Sequence, residues 1–179
     1  MSKSFVHLHA HTEYSMLDGA AKINDYLKKV KELNQPAAAI TDHGNLYGAL
    51  EFVRQAESLD IKPIIGYEAY LTPGSRFDRP DRDKNKRYHL TLLAENNIGY
   101  QNLVEIVSKA YLEGFYYKPR VDYELLREHA DGIIALSGCL GGEVAQHLAP
   151  DGSREEGNTA NEKSFEKALE KAKNYQDIF

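Results

Sequence analysis

Three histidines at alternate positions, His7, His9 and His11, lie among Val6, Leu8 and Ala10 near the start of the chain. Strict alternation over 5–11 predicts a strand, with the imidazoles on one face and the apolar side chains on the other. The apolar face then has to pack against a further layer, while the imidazole face borders a cavity. A polar edge strand with solvated histidines is the plain alternative. Neutral imidazole is the commonest metal ligand, and packing gives no reason for three in succession.

Beyond the histidines the chain alternates between two periods. Ile23, Tyr26, Leu27, Val30 and Leu33 recur at helical spacing up to Pro36, and 37–41 is a short apolar run like a buried strand. A second helical stripe holds Ala49, Phe52, Val53, Ala56 and Leu59, and 63–71 reads as the next strand. This β-α-β-α-β order argues for an α/β fold with parallel strands and crossover helices. Residues 76–87 mix charges of both signs around Pro80 and read as a mobile surface loop. Beyond it the pattern predicts a strand over 88–94 and a helix capped by Asn96 or Asn97, bearing Leu103, Val104, Val107, Ala110 and Tyr111. A short helix from Asp122, a strand over 133–136, a helix over 142–148, a polar loop over 150–161 and a helix with Phe165, Ala168, Leu169, Ala172 and Tyr175 complete the reading.

A chain of 179 residues is the size of one domain. Its net charge of −5 excludes a strongly basic nucleic-acid clamp, so contact with DNA would rest on local patches, a bound metal or a larger assembly. The single cysteine, Cys139, rules out an internal disulfide and fits a reducing cytoplasm. No apolar run approaches a membrane span, and 1–5 has no signal-peptide core, so no membrane partner is expected.

Further metal-binding residue types fall where strands end. Asp42-His43-Gly44 joins a short strand to a helix, the place where parallel α/β folds bind ligands, although Asp and Gly are also ordinary turn residues. Glu68 interrupts an apolar strand, where a carboxylate is costly unless it pairs with a lysine or arginine or binds a cation. His89 is either a hydrogen-bonded core histidine or a ligand. Asp18 is a candidate against turn chemistry, and Cys139 against a small buried hydrophobe. His129 and His147 read as surface residues. Five of the seven histidines (7, 9, 11, 43 and 89) thus lie in or beside predicted strands that would line one barrel mouth. Mixed nitrogen and oxygen ligands suit Zn2+, Mn2+ or Fe2+, with Mg2+ admissible, and a surplus of ligands implies two or three ions. In the segment 114–120, Lys118 or Arg120 could hold a phosphate and Tyr116 or Tyr117 could stack on a base, unless the loop simply packs on the core.

Taken together, His7-Leu8-His9-Ala10-His11-Thr12, Asp18-Gly19, Thr41-Asp42-His43-Gly44, Gly66-Tyr67-Glu68 and the later His89 resemble the PHP (polymerase and histidinol phosphatase) family. The wording of the intervening blocks is similar to the PHP region of bacterial replicative polymerases. The resemblance implies a distorted (β/α)7-type barrel with a multinuclear metal centre held by His9, His11, Asp18, His43, Glu68, His89 and Cys139. Catalysis would fall to His9, His11, His43, Glu68 and His89, with His7 and Asp42 as additional or supporting groups; many relatives carry an aspartate at the His7 position. It also implies metal-dependent phosphoester hydrolysis of 3′–5′ exonuclease or pyrophosphatase type, or a purely bracing role for the metals. DNA and other replicase subunits, such as a proofreading exonuclease, would be partners. A stand-alone phosphatase for a small phosphomonoester such as histidinol phosphate is the alternative. The family's final Asp-x-His motif has no match after Cys139, so residues 1–179 are expected to form a partial PHP domain. The polymerase palm aspartates are likewise missing.

Overall fold

In the computed structural model, residues 5–149 and 162–179 are described. The expected polar loop over 150–161 lies outside them.

Helices α1 (Ile23–Glu32) and α2 (Ala49–Ser58) flank the short strand β1 (Ala37–Ile40), whose four residues are all buried. Ile23, Leu27 and Val30 of α1 meet Ala49, Phe52 and Ala56 of α2 over Ala38 and Ile40. The helical stripes read from the sequence make this layer.

The longest strand, β2 (Lys62–Leu71), has two different faces. Tyr67, Ala69 and Leu71 enter the larger core with Tyr88, Leu90 and Leu92 of β3 (Tyr88–Ala94) and Leu103, Ile106 and Ala110 of α3 (Asn97–Leu112). Strand β4 (Arg120–Val121), helices α4 (Tyr123–Glu128) and α5 (Glu143–Leu148), strand β5 (Ile133–Leu136) and helix α6 (Glu162–Gln176) complete the order. Asn96 caps α3 by accepting from the amides of Ile98 and Gly99. The start of α3 sits so close to the turn before β5 that a Cβ on Gly99 would lie 1.8 Å from the Gly132 carbonyl oxygen. Val104 and Tyr111, expected on the apolar face of α3, are exposed, and Ile106 takes the buried place.

The fold is mixed α/β, with a sheet of order β1-β2-β3-β5 and β4 added to β2. β1 and β2 are parallel, as their helical crossover requires. The parallel reading drawn from the β-α-β-α-β order stops there: β3 runs antiparallel to β2, and β5 antiparallel to β3. Between β2 and β3 there is only a 3-10 turn, Arg82–Lys84, and without a crossover helix the chain simply reverses. Between β3 and β5 two helices and a short strand intervene, which adds a further reversal that periodicity does not report.

The segment 5–11 is not a strand: it bends at Leu8 and His9. It does run beside β1, where the His7 carbonyl accepts from the Ala39 amide (3.3 Å) and the Ala10 carbonyl from the Thr41 amide (2.8 Å). Three residue steps on one side thus match two on the other. The extra residue breaks the period-two parity that put His7 on the face of His9 and His11.

The expected mobile loop over 76–87 is anchored at its first residue. Arg76 is buried; its Nη1 donates to Asp122 Oδ1 (3.0 Å) and its Nε to Glu113 Oε2 (2.7 Å). Asp122 also caps α4 through the Leu125 amide. Among the described residues no helix is long and apolar enough to cross a membrane.

Replacing Arg76 with Ala leaves the buried Asp122 carboxylate without its counter-charge. The expected loss is about 3–5 kcal/mol in urea denaturation, and a loss under about 1 kcal/mol would mean that the pair is not what holds the loop.

Candidate metal centre

The face of β2 opposite the core carries Glu68 and Tyr70, and register sets Thr91 and His89 of β3 directly across from them. Beyond the end of β1 the chain keeps pairing with β2: the Gly44 amide donates to the Glu68 carbonyl (2.9 Å) and the Glu68 amide to the Asp42 carbonyl (3.1 Å). That bridge sets His43 beside Glu68. Gly44 then turns with φ +69, and a Cβ there would come within 3.0 Å of both Pro119 and Tyr70.

Glu68 has no solvent exposure and four imidazoles around it. Its Oε1 lies 3.4 Å from His9 Nε2 and 3.1 Å from His89 Nδ1. Its Oε2 lies 3.1 Å from His11 Nε2 and 2.7 Å from His43 Nδ1. His43 Nε2 meets Asp18 Oδ2 at 2.7 Å, and His11 Nε2 is 4.0 Å from the same oxygen. Cys139 is exposed, with Sγ 3.6 Å from His89 Nδ1 and accepting from the Gly141 amide.

These groups form three overlapping sets, His9–His11–Glu68, His11–Asp18–His43 and His43–Glu68–His89, with ligand atoms within 4.8 Å of one another in each. Both Glu68 oxygens and His43 Nδ1 are buried without a hydrogen bond, although they stand at ion-pair distances. Buried polar atoms that converge without mutual hydrogen bonds are arranged as cation ligands are. The donor set, imidazole nitrogen with carboxylate oxygen, fits Zn2+, Mn2+ or Fe2+, and overlapping sets fit more than one ion.

The supporting shell begins with Asp42, which is 1% exposed. Its carboxylate accepts from the Thr12 amide (2.7 Å), Thr12 Oγ1 (2.8 Å) and Ser15 Oγ (2.6 Å). Asp42 therefore orders the loop that carries His11 and Asp18, and it belongs to none of the three ligand sets. Ser15 Oγ, with its one proton given to Asp42, accepts from the His43 amide (3.0 Å) and stands 3.3 Å from His11 Nδ1. With Ser15 Oγ as the acceptor, His11 Nδ1 is the donor in that contact, and Nε2 is the nitrogen turned to Glu68.

Electrostatics follow from the same geometry. Burial opposes a charge on Glu68, yet the imidazoles of His11, His43, His89 and His9 outweigh it and hold the carboxyl far below its ordinary pKa. His43 is raised above the usual imidazole value by Glu68, against burial, with Asp18 adding to the rise. Asp18 is lowered, chiefly by its hydrogen bond to His43.

The expected residues divide cleanly by position. His9, His11, Asp18, His43, Glu68 and His89 converge, with Cys139 at their edge. His7 stands apart, its ring against Phe5. Arg120 does not face the cluster as a phosphate-binding cation: it is fully buried and donates to the carbonyls of Gly114, Arg76 and Asp78. Lys118 is exposed, with Nζ 5.3 Å above the Tyr70 ring. Tyr70 in turn lies nearly parallel to His43 (centroids 6.0 Å) and edge-on to His89 (5.6 Å). Sequence reasoning missed Tyr70, two residues beyond Glu68 on the same strand face, and Ser15, which sits in an irregular loop without any periodic signal.

A family model described as PHP domain matches residues 7–179. The chain is 60% identical over 152 residues to the DNA polymerase III subunit alpha of Thermus aquaticus, covering 82% of this chain and 12% of that protein. It is 47% identical over 178 residues to the same subunit of Helicobacter pylori, covering 99% of this chain and 14% of that protein. The chain thus spans only a small part of the length of these relatives. Among solved structures, an amidohydrolase from Chromobacterium violaceum with bound sulfate and no metal is 20% identical, with a TM-score of 0.43 over 59% of this chain and 32% of that one.

Ser15→Ala removes the group that fixes His11 and should weaken Mn2+ or Zn2+ binding by ~10–100-fold in calorimetric titration with the fold retained. Unaltered affinity would remove Ser15 from the supporting shell. In the metal-free chain the proton on His43 adds stability below the unfolded-state pKa, and this is lost as the pH rises through the raised folded value. A cation needs that nitrogen bare, so metal retention on dialysis should fall as the pH drops through the imidazole range. Retention flat across that range would exclude His43 as a ligand.

Proposed function

Starting from the fact that this chain belongs to the PHP domain family, we propose that it is a metal-dependent phosphoester hydrolase region of a bacterial replicative polymerase, the alpha subunit of DNA polymerase III. The observation that carries the reading is the buried Glu68 carboxylate with four imidazoles around it and Asp18 beyond. Hydrolysis of 3′–5′ exonuclease or pyrophosphatase type is the activity that fits such a centre. DNA and the other replicase subunits, a proofreading exonuclease among them, are the partners, and the bacterial cytoplasm is the setting.

His9, His11, His43, His89, Glu68 and Asp18 would hold the ions, with Cys139 as a further ligand beside His89. A bound divalent cation supplies charge neutralisation on the phosphoryl oxygens and an activated water nucleophile at neutral pH. The protein contributes the rest. Glu68 brings a fixed negative charge into a place without solvent, which favours cations and the bare form of the neighbouring imidazoles once they are bound. Ser15 and Asp42 set the His11 tautomer, so the nitrogen offered to a cation needs no rearrangement. Asp18, exposed at the rim and kept ionised beside His43 Nε2, adds a second negative charge to the ligand set.

The test is hydrolysis of bis(p-nitrophenyl) phosphate by the chain loaded with Mn2+ or Zn2+. Glu68→Gln should lose bound metal and reduce turnover by on the order of a hundredfold, given that even outer partners of such sites are worth ~10–100-fold. Stoichiometric metal with no turnover in the unaltered chain would replace the hydrolase reading with a bracing role. Full activity in Glu68→Gln would contradict both.

A further inference from the structure

The rim of the cluster holds cations and an aromatic that metal binding does not use. Tyr70 faces His43 and His89 on one side and takes Lys118 Nζ over its ring. Arg87 is exposed and lies just before β3, two residues from His89, the residue that register sets opposite Tyr70. Among the described residues neither Arg87 nor Lys118 has an ion-pair partner. Nearby cations differ: Arg76 holds Asp122, while Arg79 and Arg120 hold backbone carbonyls.

Next to Lys118 the chain makes a tight turn, closed by an isolated bridge between Tyr116 and Lys118. At its tip Tyr117 has φ 62 and is 60% exposed. A tyrosine in the left-handed region is strained, and such strain gathers at sites where the side chain has a use. Tyr116 braces the turn, its hydroxyl donating to the Pro80 carbonyl (2.9 Å) and its ring edge-on to Tyr117 (4.7 Å). An open aromatic tip beside unpaired cations suits a chain of phosphates and bases. A small phosphomonoester would call instead for an enclosed pocket with convergent polar groups.

We propose that Arg87 and Lys118, at the Tyr70 rim of the cluster, hold the phosphate next to the one that is cut, and that Tyr117 stacks on the attached base. The site then selects the single-stranded end of a polynucleotide over small phosphate esters. The proposal rests on the hydrolase reading above, but concerns residues outside the ligand set.

The probe is a fluorescein-labelled thymidine tetranucleotide, offered to the Mn2+-loaded chain. Arg87→Ala and Lys118→Ala should each raise its KM by about tenfold, the worth of one charge-assisted phosphate contact, and more than they lower kcat. Each should reduce the slope of affinity against salt by about one in fluorescence anisotropy. Lys118→Arg should restore most of the loss, and bound metal should stay at the parental level. Tyr117→Gly separates function from structure, because glycine relieves the positive φ: stability should hold or rise while affinity falls. Unchanged KM, affinity and salt slope in these variants would overturn the proposal, as would an unaltered chain that does not bind the tetranucleotide. A chain that binds it through Arg87 and Lys118 yet cleaves neither it nor bis(p-nitrophenyl) phosphate would sink the hydrolase reading and support the rim.

Discussion

Glu68 carries its charge where no water reaches it, and four imidazole nitrogens stand within 3.4 Å of its two oxygens. A buried carboxylate is tolerated only with compensation, and the surrounding architecture supplies it from separate parts of the chain. The 5–11 segment brings His9 and His11, the turn after β1 brings His43, and β3 brings His89 across from Tyr70. β2 sends its odd-numbered residues from Tyr67 to Leu71 into the core and Glu68 and Tyr70 to the opposite side. The apolar core and the polar cluster are thus two faces of one strand, and a one-residue shift in the β2–β3 register would exchange them.

The second layer turns proximity into order. Asp42 looks like a ligand by residue type, but its oxygens accept three hydrogen bonds from Thr12 and Ser15 and fix the loop that delivers His11 and Asp18. Ser15 links that loop to the His43 amide and sets the His11 tautomer. A metal site with only its first ring of ligands would be loose, since each imidazole needs its other nitrogen held.

How much of this the sequence disclosed depends on the length scale of the signal. Amphipathic stripes such as Ile23, Leu27 and Val30 gave helices whose buried faces are the expected ones, and Glu68 stood out because a carboxylate in an apolar strand needs a reason. The alternative of a lysine or arginine partner for Glu68 fails, since its neighbours are histidines. Cys139 is exposed beside His89, against the reading of a small buried hydrophobe. The histidine alternation at the start misled at one position: a bend at Leu8 and His9 sends His7 elsewhere, and a bend leaves no trace in a period-two pattern. Strand direction was equally hidden, because the reversal between β2 and β3 depends on a missing crossover helix. Arg120 shows the limit of reading by residue type, for a guanidinium beside tyrosines serves here to hold the carbonyls of Arg76 and Asp78.

Whether the cluster around Glu68 takes up cations is decided most directly by anomalous diffraction from crystals grown with Zn2+. The account predicts at least two peaks, each at about 2.0–2.2 Å from a Glu68 or Asp18 oxygen or from the nitrogens of His9, His11, His43 and His89. Peaks confined to outlying groups such as His7 or His147, with the Glu68 carboxylate still held by imidazoles alone, would contradict it.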